Sequence, residues 1–176
     1  MQYSAINDPY ALVTGLLTDS QALYRICVHP PSGKSEEVAR IRGTLPGQGA
    51  KALVCGYKQD GQRHYVLAIQ PGDRKADLSR LARALDTSKV SLVSPEEVLR
   101  LTGCVPGAVP PFSFHPELRL LADPELFGSH QEIAFNAGSL ERSVILNTQD
   151  YLRIARPGLA YFIREEGVTS GDKDHE

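Results

Sequence analysis

Apolar positions along the chain fall into short blocks whose spacing changes from helical to strand-like several times. Residues 8–18 carry Ala11, Leu12, Val13, Leu16 and Leu17 at helical intervals behind Asp8 and Pro9, a capping residue and a first-turn proline, which predicts a helix. Residues 23–28 read as a short strand, and 36–41 as a short helix with Ser35 at its cap and Glu36 and Glu37 at its positive end. Two apolar, β-branched runs at 51–57 and 64–69 flank Lys58-Gln59-Asp60-Gly61-Gln62, and Asp-Gly in that setting predicts an antiparallel hairpin. Leu78, Leu81, Ala82 and Leu85 line one face of a predicted helix over 76–85, followed by a strand at 89–93. Ser94-Pro95-Glu96-Glu97 has the form of a capping box and opens a helix that ends near Gly103. Strands are expected at 118–122, 132–135 and 143–146, with a turn of helix at 124–127 and a last helix capped by Thr148 and running to 155.

This irregular alternation, with at least one hairpin, predicts a mixed α+β domain built on a largely antiparallel mixed sheet surrounded by helices. Residues 1–164 are expected to form a single domain. Residues 165–176 are polar, charged and poor in apolar groups, and read as a flexible tail. At 176 residues the chain can bury one core, and no apolar run approaches the roughly 18 residues needed to span a bilayer. A cytoplasmic location is the expectation. Cys27, Cys55 and Cys104 are widely spaced without a Cys-x-x-Cys pair, so buried free thiols are expected rather than zinc or redox chemistry. The net charge of −2 argues against broad electrostatic binding to nucleic acid and leaves room for a local basic patch.

Candidate chemistry begins at Gly47-Gln48-Gly49-Ala50-Lys51-Ala52-Leu53-Val54-Cys55, a glycine-rich turn entering an apolar strand with one lysine at its mouth. Lys51 either snorkels to the surface or points into a cleft. The segment lacks the Gly-Lys-Ser/Thr ending of a phosphate-cradling P-loop, and no Rossmann spacing is present. Arg40 and Arg42, just before the turn, are either solvated charges or phosphate contacts. Residues 102–116 form a proline- and glycine-rich loop with few free backbone donors. Asp123 before Pro124 is a helix cap or a pocket acid, and Asn136 and Ser139 bind a ligand or close a turn around Gly138.

Three segments in order resemble the YbaK/prolyl-tRNA editing-domain family of aminoacyl-tRNA deacylases: Ala50-Lys51-Ala52-Leu53-Val54, then Leu101-Thr102-Gly103 with Gly107-Ala108-Val109-Pro110-Pro111-Phe112, then Asn136-Ala137-Gly138-Ser139. The longer strings around Lys51 and Pro110–Pro116 look most like the free-standing YeaK-like branch, linked with serine and threonine esters. The resemblance implies hydrolysis of the ester joining a wrong amino acid to tRNA, most of all seryl- or threonyl-tRNA, with no metal or cofactor. It implies Lys51 and Gly107 as catalytic residues, the lysine orienting the aminoacyl carbonyl or terminal phosphate and the glycine carbonyl positioning water. It further implies substrate contacts at His29, Pro111, Phe112, Ser113, Asp123, Asn136, Gly138 and Ser139. The implied partner is the aminoacyl-tRNA acceptor end, with an aminoacyl-tRNA synthetase as a further candidate. Ser113 stands where the family usually has glycine, and Ser143 where some branches carry an acid, which puts cysteine or alanine specificity in doubt. A deacylase for cysteine or alanine on prolyl tRNA, and a binding module without turnover, are the alternatives.

Overall fold

The computed structural model describes residues 6–165, and most of the expected tail lies outside them. Helix α1 (Pro9–Asp19) starts as its sequence dictates, the Asp8 carboxylate accepting the Ala11 amide at 3.0 Å. Strand β1 (Tyr24–Val28) follows, then α2 (Ser35–Arg42). Ser35 is the first residue of α2 rather than its cap; Lys34 occupies the cap position and makes no side-chain bond there. Strands β2 (Ala50–Gln59) and β3 (Gln62–Pro71) form the hairpin, with Asp60 and Gly61 both at positive φ, 54° and 75°, as a two-residue turn matched to strand twist requires.

Asp77 caps α3 (Leu78–Ala84), accepting the Ser79 and Arg80 amides, so the helix starts two residues later than expected. After β4 (Ser91–Leu92), Ser94 caps α4 (Pro95–Thr102) by accepting the Glu97 amide at 3.2 Å; the Glu97 carboxylate binds Arg100. The long loop leads to β5 (Leu118–Ala122), β6 (Glu132–Asn136) and β7 (Arg142–Asn147). Helix α5 (Thr148–Ala155) is capped by Asn147, whose side chain accepts the Asp150 amide. Thr148, expected as the cap, instead donates its hydroxyl to the His130 carbonyl. A short β8 (Gly158–Leu159) closes the order.

The strands divide into two sheets: β4-β2-β3-β5-β8, with β3/β5 and β5/β8 parallel, and an antiparallel β1-β7-β6. Both faces of the larger sheet are covered. Val54, Leu67 and Ile69 face α4, the long loop and the smaller sheet, while Cys55, Val66 and Ala68 face Leu81, Ala82 and Phe162 on the other side. This explains why β3 is a continuous apolar run instead of an alternating one. Each fully buried Leu or Phe contributes about 1.5–3 kcal/mol, and Leu67, Leu146 and Phe135 of the shared cluster lock the two sheets together. A parallel bridge between Gly49 and Ala134 brings the start of β2 against β6.

Candidate active site

The candidate cleft forms because β2 is longer than the strand beside it. Gly72 donates its amide to the Gly49 carbonyl at 2.8 Å. Bonded partners alternate along an antiparallel pair, so Lys51 and Leu53 also turn their main-chain groups toward β3, and Ala50 and Ala52 turn theirs to the opposite edge. There β4 pairs only with Cys55 and Gly56. The uncovered start of β2 is one wall of a cavity of about 430 Å³. Helix α2, the entry to α4 and the loop around Gly107 make the other walls, and Ala134 and Asn136 of β6 make its floor. Val38, Val54, Val98 and Val109 render the interior largely apolar. The polar groups are few, as in most small-molecule sites. Lys51 stands where the cleft meets a shallower groove that also holds Lys34 and Arg40.

Of the expected site residues, Lys51, Gly107 and Asn136 line the cleft. Gly107 has φ of +89°, and a Cβ there would come within 3.3 Å of the Gly33 Cα, so glycine suits both the backbone angle and the close approach of two loops. The Asn136 side chain joins those loops: its Nδ2 donates to the Ser32 carbonyl and to the Gly107 carbonyl, each at 2.8 Å. Its Oδ1 receives Arg42 Nη2 at 3.1 Å and lies 3.1 Å from the Ser143 hydroxyl. Arg42 Nε donates to the same hydroxyl at 2.8 Å.

His29 is buried behind this layer. Its Nδ1 lies 2.9 Å from the Pro30 carbonyl, which only accepts, so that nitrogen carries the proton. Its Nε2 is 2.7 Å from Ser143 Oγ. The single Ser143 proton can serve His29 or Asn136, one at a time. His29 therefore reaches the cleft through Ser143 rather than directly.

The other expected residues lie elsewhere. Pro111 and Phe112 pass into the core, where the Pro111 carbonyl accepts the Tyr151 hydroxyl at 2.7 Å and the Phe112 ring meets Tyr151 and Phe135 edge to face. Ser113 Oγ turns to the Leu118 carbonyl at 2.6 Å. Asp123 is fully buried, with Oδ1 on the Glu125 amide and Oδ2 on the amides of Phe162 and Ile163. Those three bonds cap a short turn and anchor the last described segment, leaving the carboxylate outside the cleft. Gly138 has φ of +76°, and a Cβ there would sit 2.7 Å from the Pro9 Cβ. Ser139 accepts the Glu141 amide, closing a turn.

Two residues enter the site that their sequence context underplayed. Arg42 is drawn into the wall because it lies four residues after the buried Val38, on the same helical face; that spacing was the available signal. Ser143, fully buried on β7, ties Arg42 to His29. Burial lowers the Arg42 pKa to about 10, with Cys27 opposing the shift, so the side chain stays a cation at neutral pH. Among the described residues no three His, Cys, Asp or Glu side chains gather into a metal-ligating group, and no helix is long and apolar enough to cross a membrane.

Residues 29–154 match the family model for the aminoacyl-tRNA editing domain. The chain belongs to that family. Among aminoacyl-tRNA editing domains, it is 57% identical over 149 residues to the multifunctional Ser/Thr-tRNA deacylase ProXp-y of Escherichia coli (strain K12), a match covering 85% of this chain and 89% of the relative. It is 35% identical over 98 residues to a proline--tRNA ligase of Trichlorobacter lovleyi, covering 54% of this chain and 16% of the ligase. A crystal structure provisionally described as a trans-editing enzyme for prolyl tRNA synthetase superposes with a TM-score of 0.74 at 22% identity, covering 92% of this chain and all of the other, and shares its fold.

Proposed function

We propose that this aminoacyl-tRNA editing domain is a free-standing deacylase that hydrolyses the ester between serine or threonine and the terminal ribose of a tRNA carrying the wrong amino acid. The carrying observation is the cleft that Lys51 and Gly107 both line, the Gly107 carbonyl being fixed by Asn136 at 2.8 Å. A carbonyl oxygen has two lone pairs, so with one taken by Asn136 the other can accept a hydrogen bond from water and aim it at the ester. Lys51, at the junction with the groove holding Lys34 and Arg40, suits the terminal phosphate or the aminoacyl carbonyl as a point charge. The apolar walls fit a small side chain, and the 57% identity to a Ser/Thr-tRNA deacylase supports hydroxylated amino acids. The partner is the acceptor end of aminoacyl-tRNA, which places the work in the cytoplasm. The similar stretch in proline--tRNA ligases supports a role alongside a synthetase.

The test is release of labelled serine, threonine, alanine and cysteine from their tRNAs by the wild-type chain and by Lys51→Ala. Fast seryl or threonyl release that falls at least a hundredfold in a folded Lys51→Ala variant, about the effect of losing one transition-state contact, supports the reading. Preferred release of alanine or cysteine assigns the other substrate class. Absence of release from all four overturns the hydrolytic reading.

A further inference from the structure

Arg42 is a mostly buried cation whose protein partners are both neutral. Nε donates to Ser143 Oγ and Nη2 to Asn136 Oδ1, and among the described residues no carboxylate lies within ion-pairing distance of it. Nη1 has no protein partner among the described residues, although the side chain lines the cleft. It lies beside Gly49, 4.0 Å from where a Cβ on that residue would stand. A buried guanidinium is costly unless a charge or a full set of acceptors meets it. Here the cation with its unmet donor lines the cleft. The same guanidinium holds Asn136, which holds the Gly107 carbonyl, so Arg42 and that carbonyl belong to one hydrogen-bonded network on the cleft wall.

We propose that Arg42 is a catalytic residue that stabilises the oxyanion of the tetrahedral intermediate through Nη1, leaving Lys51 to hold the phosphate; this rests on the deacylase reading above. The water oxygen bonds to the ester carbon as the carbonyl pair moves onto the oxygen facing Arg42. Collapse of that oxyanion restores the carbonyl and breaks the bond to the ribose oxygen, which takes up the proton released by the water. The products are the free amino acid and the terminal ribose hydroxyl. Charge that develops only at this stage is what a fixed, partly desolvated donor accelerates.

The experiment uses the full chain, as wild type, Arg42→Gln and Arg42→Lys, each checked for folding by thermal unfolding. Two measurements are made: steady-state hydrolysis of seryl-tRNA, and affinity for two 5′-phosphoadenosine probes. One probe carries serine through a stable 3′-amide; the other carries an anionic 3′-phosphonate in place of the carbonyl. The shared phosphate cancels in their ratio. Arg42→Gln is expected to lower kcat by about a hundredfold or more with KM changed less than about threefold, and to weaken phosphonate binding at least tenfold more than amide binding. Arg42→Lys, which keeps the charge, should recover part of both. Equal weakening of the two probes, or unchanged kcat in folded Arg42→Gln, overturns the proposal. If Arg42→Gln does not fold, the probe ratio in Arg42→Lys decides in the same way. A wild-type chain inactive on every tRNA overturns the deacylase reading and this step with it, whereas an active wild type matched by Arg42→Gln sinks this step alone.

Discussion

The Asn136 side-chain amide sits 2.8 Å from the carbonyl oxygens of both Ser32 and Gly107, joining two loops that are distant in sequence. Its orientation is not free. Arg42 Nη2 donates to Oδ1, which forces the amide nitrogen to face the two carbonyls. Asn136→Asp would replace that nitrogen by an acceptor and set it against both. A buried group left without its partner costs about 1–3 kcal/mol. We therefore expect Asn136→Asp to lower stability by about that amount and turnover by at least tenfold, read by denaturant unfolding and by seryl-tRNA hydrolysis. Wild-type turnover in a folded Asn136→Asp chain would show that the Gly107 carbonyl has no part in positioning water.

Asp123 makes the opposite prediction. Its carboxylate is fully buried, receives three backbone amides and contacts nothing in the cleft. Hydrogen bonds to a charged group contribute roughly 1.5–3 kcal/mol each, short of additive, so Asp123→Ala should destabilise the fold by about 3 kcal/mol or more. Activity per folded molecule should stay within about twofold below the melting transition, provided the cleft itself is unchanged. A large fall in kcat without loss of stability would return Asp123 to the active site.

The thiols give a pH dependence. Burial pushes Cys55 up to about 12 and, against a weaker pull from Thr102, Cys104 up to about 11. In the unfolded chain both ionise near the ordinary value of 9.0. Their protonated burial thus contributes stability that is complete below pH 9 and lost as pH rises toward 11 and 12. The denaturation midpoint should fall across that window, and less steeply in Cys55→Ala/Cys104→Ala. At pH 8 a thiol reagent should modify the half-buried Cys27 first and the other two only on unfolding.

How far the sequence carried the structure differs by element. The Asp60-Gly61 hairpin, the Asp8 and Ser94 caps and the apolar stripe of α3 rest on local rules, and each element formed where those rules placed it. Caps at Ser35 and Thr148 failed because a neighbouring residue, Lys34 or Asn147, took the boundary. The division into two sheets depends on which strand ends meet, a long-range matter that periodicity does not encode. In the cleft, Lys51 was marked by being a cation in an apolar run with glycines before it, whereas Gly107 and Asn136 were reached through the resemblance of their segments to the family. Phe112 and Ser113 share a loop with Gly107, but the chain turns inward after Val109 and spends those side chains on the core. The Arg42–Ser143 contact joins residues 101 apart in the chain and was invisible to any local pattern.

That separation also bears on the order of assembly. The bonds under the cleft link His29 to Ser143, Arg42 to Ser143 and Ser32 to Asn136, spans of 114, 101 and 104 residues. Local hairpins and helices close quickly, and contacts across such distances close last. A chain with one sheet undocked would therefore keep most of its secondary structure and have no assembled cleft. If hydrolysis takes place in the cleft as proposed, it switches on only with the final cooperative step of folding, and an incomplete molecule would be unable to strip amino acids from correctly charged tRNA.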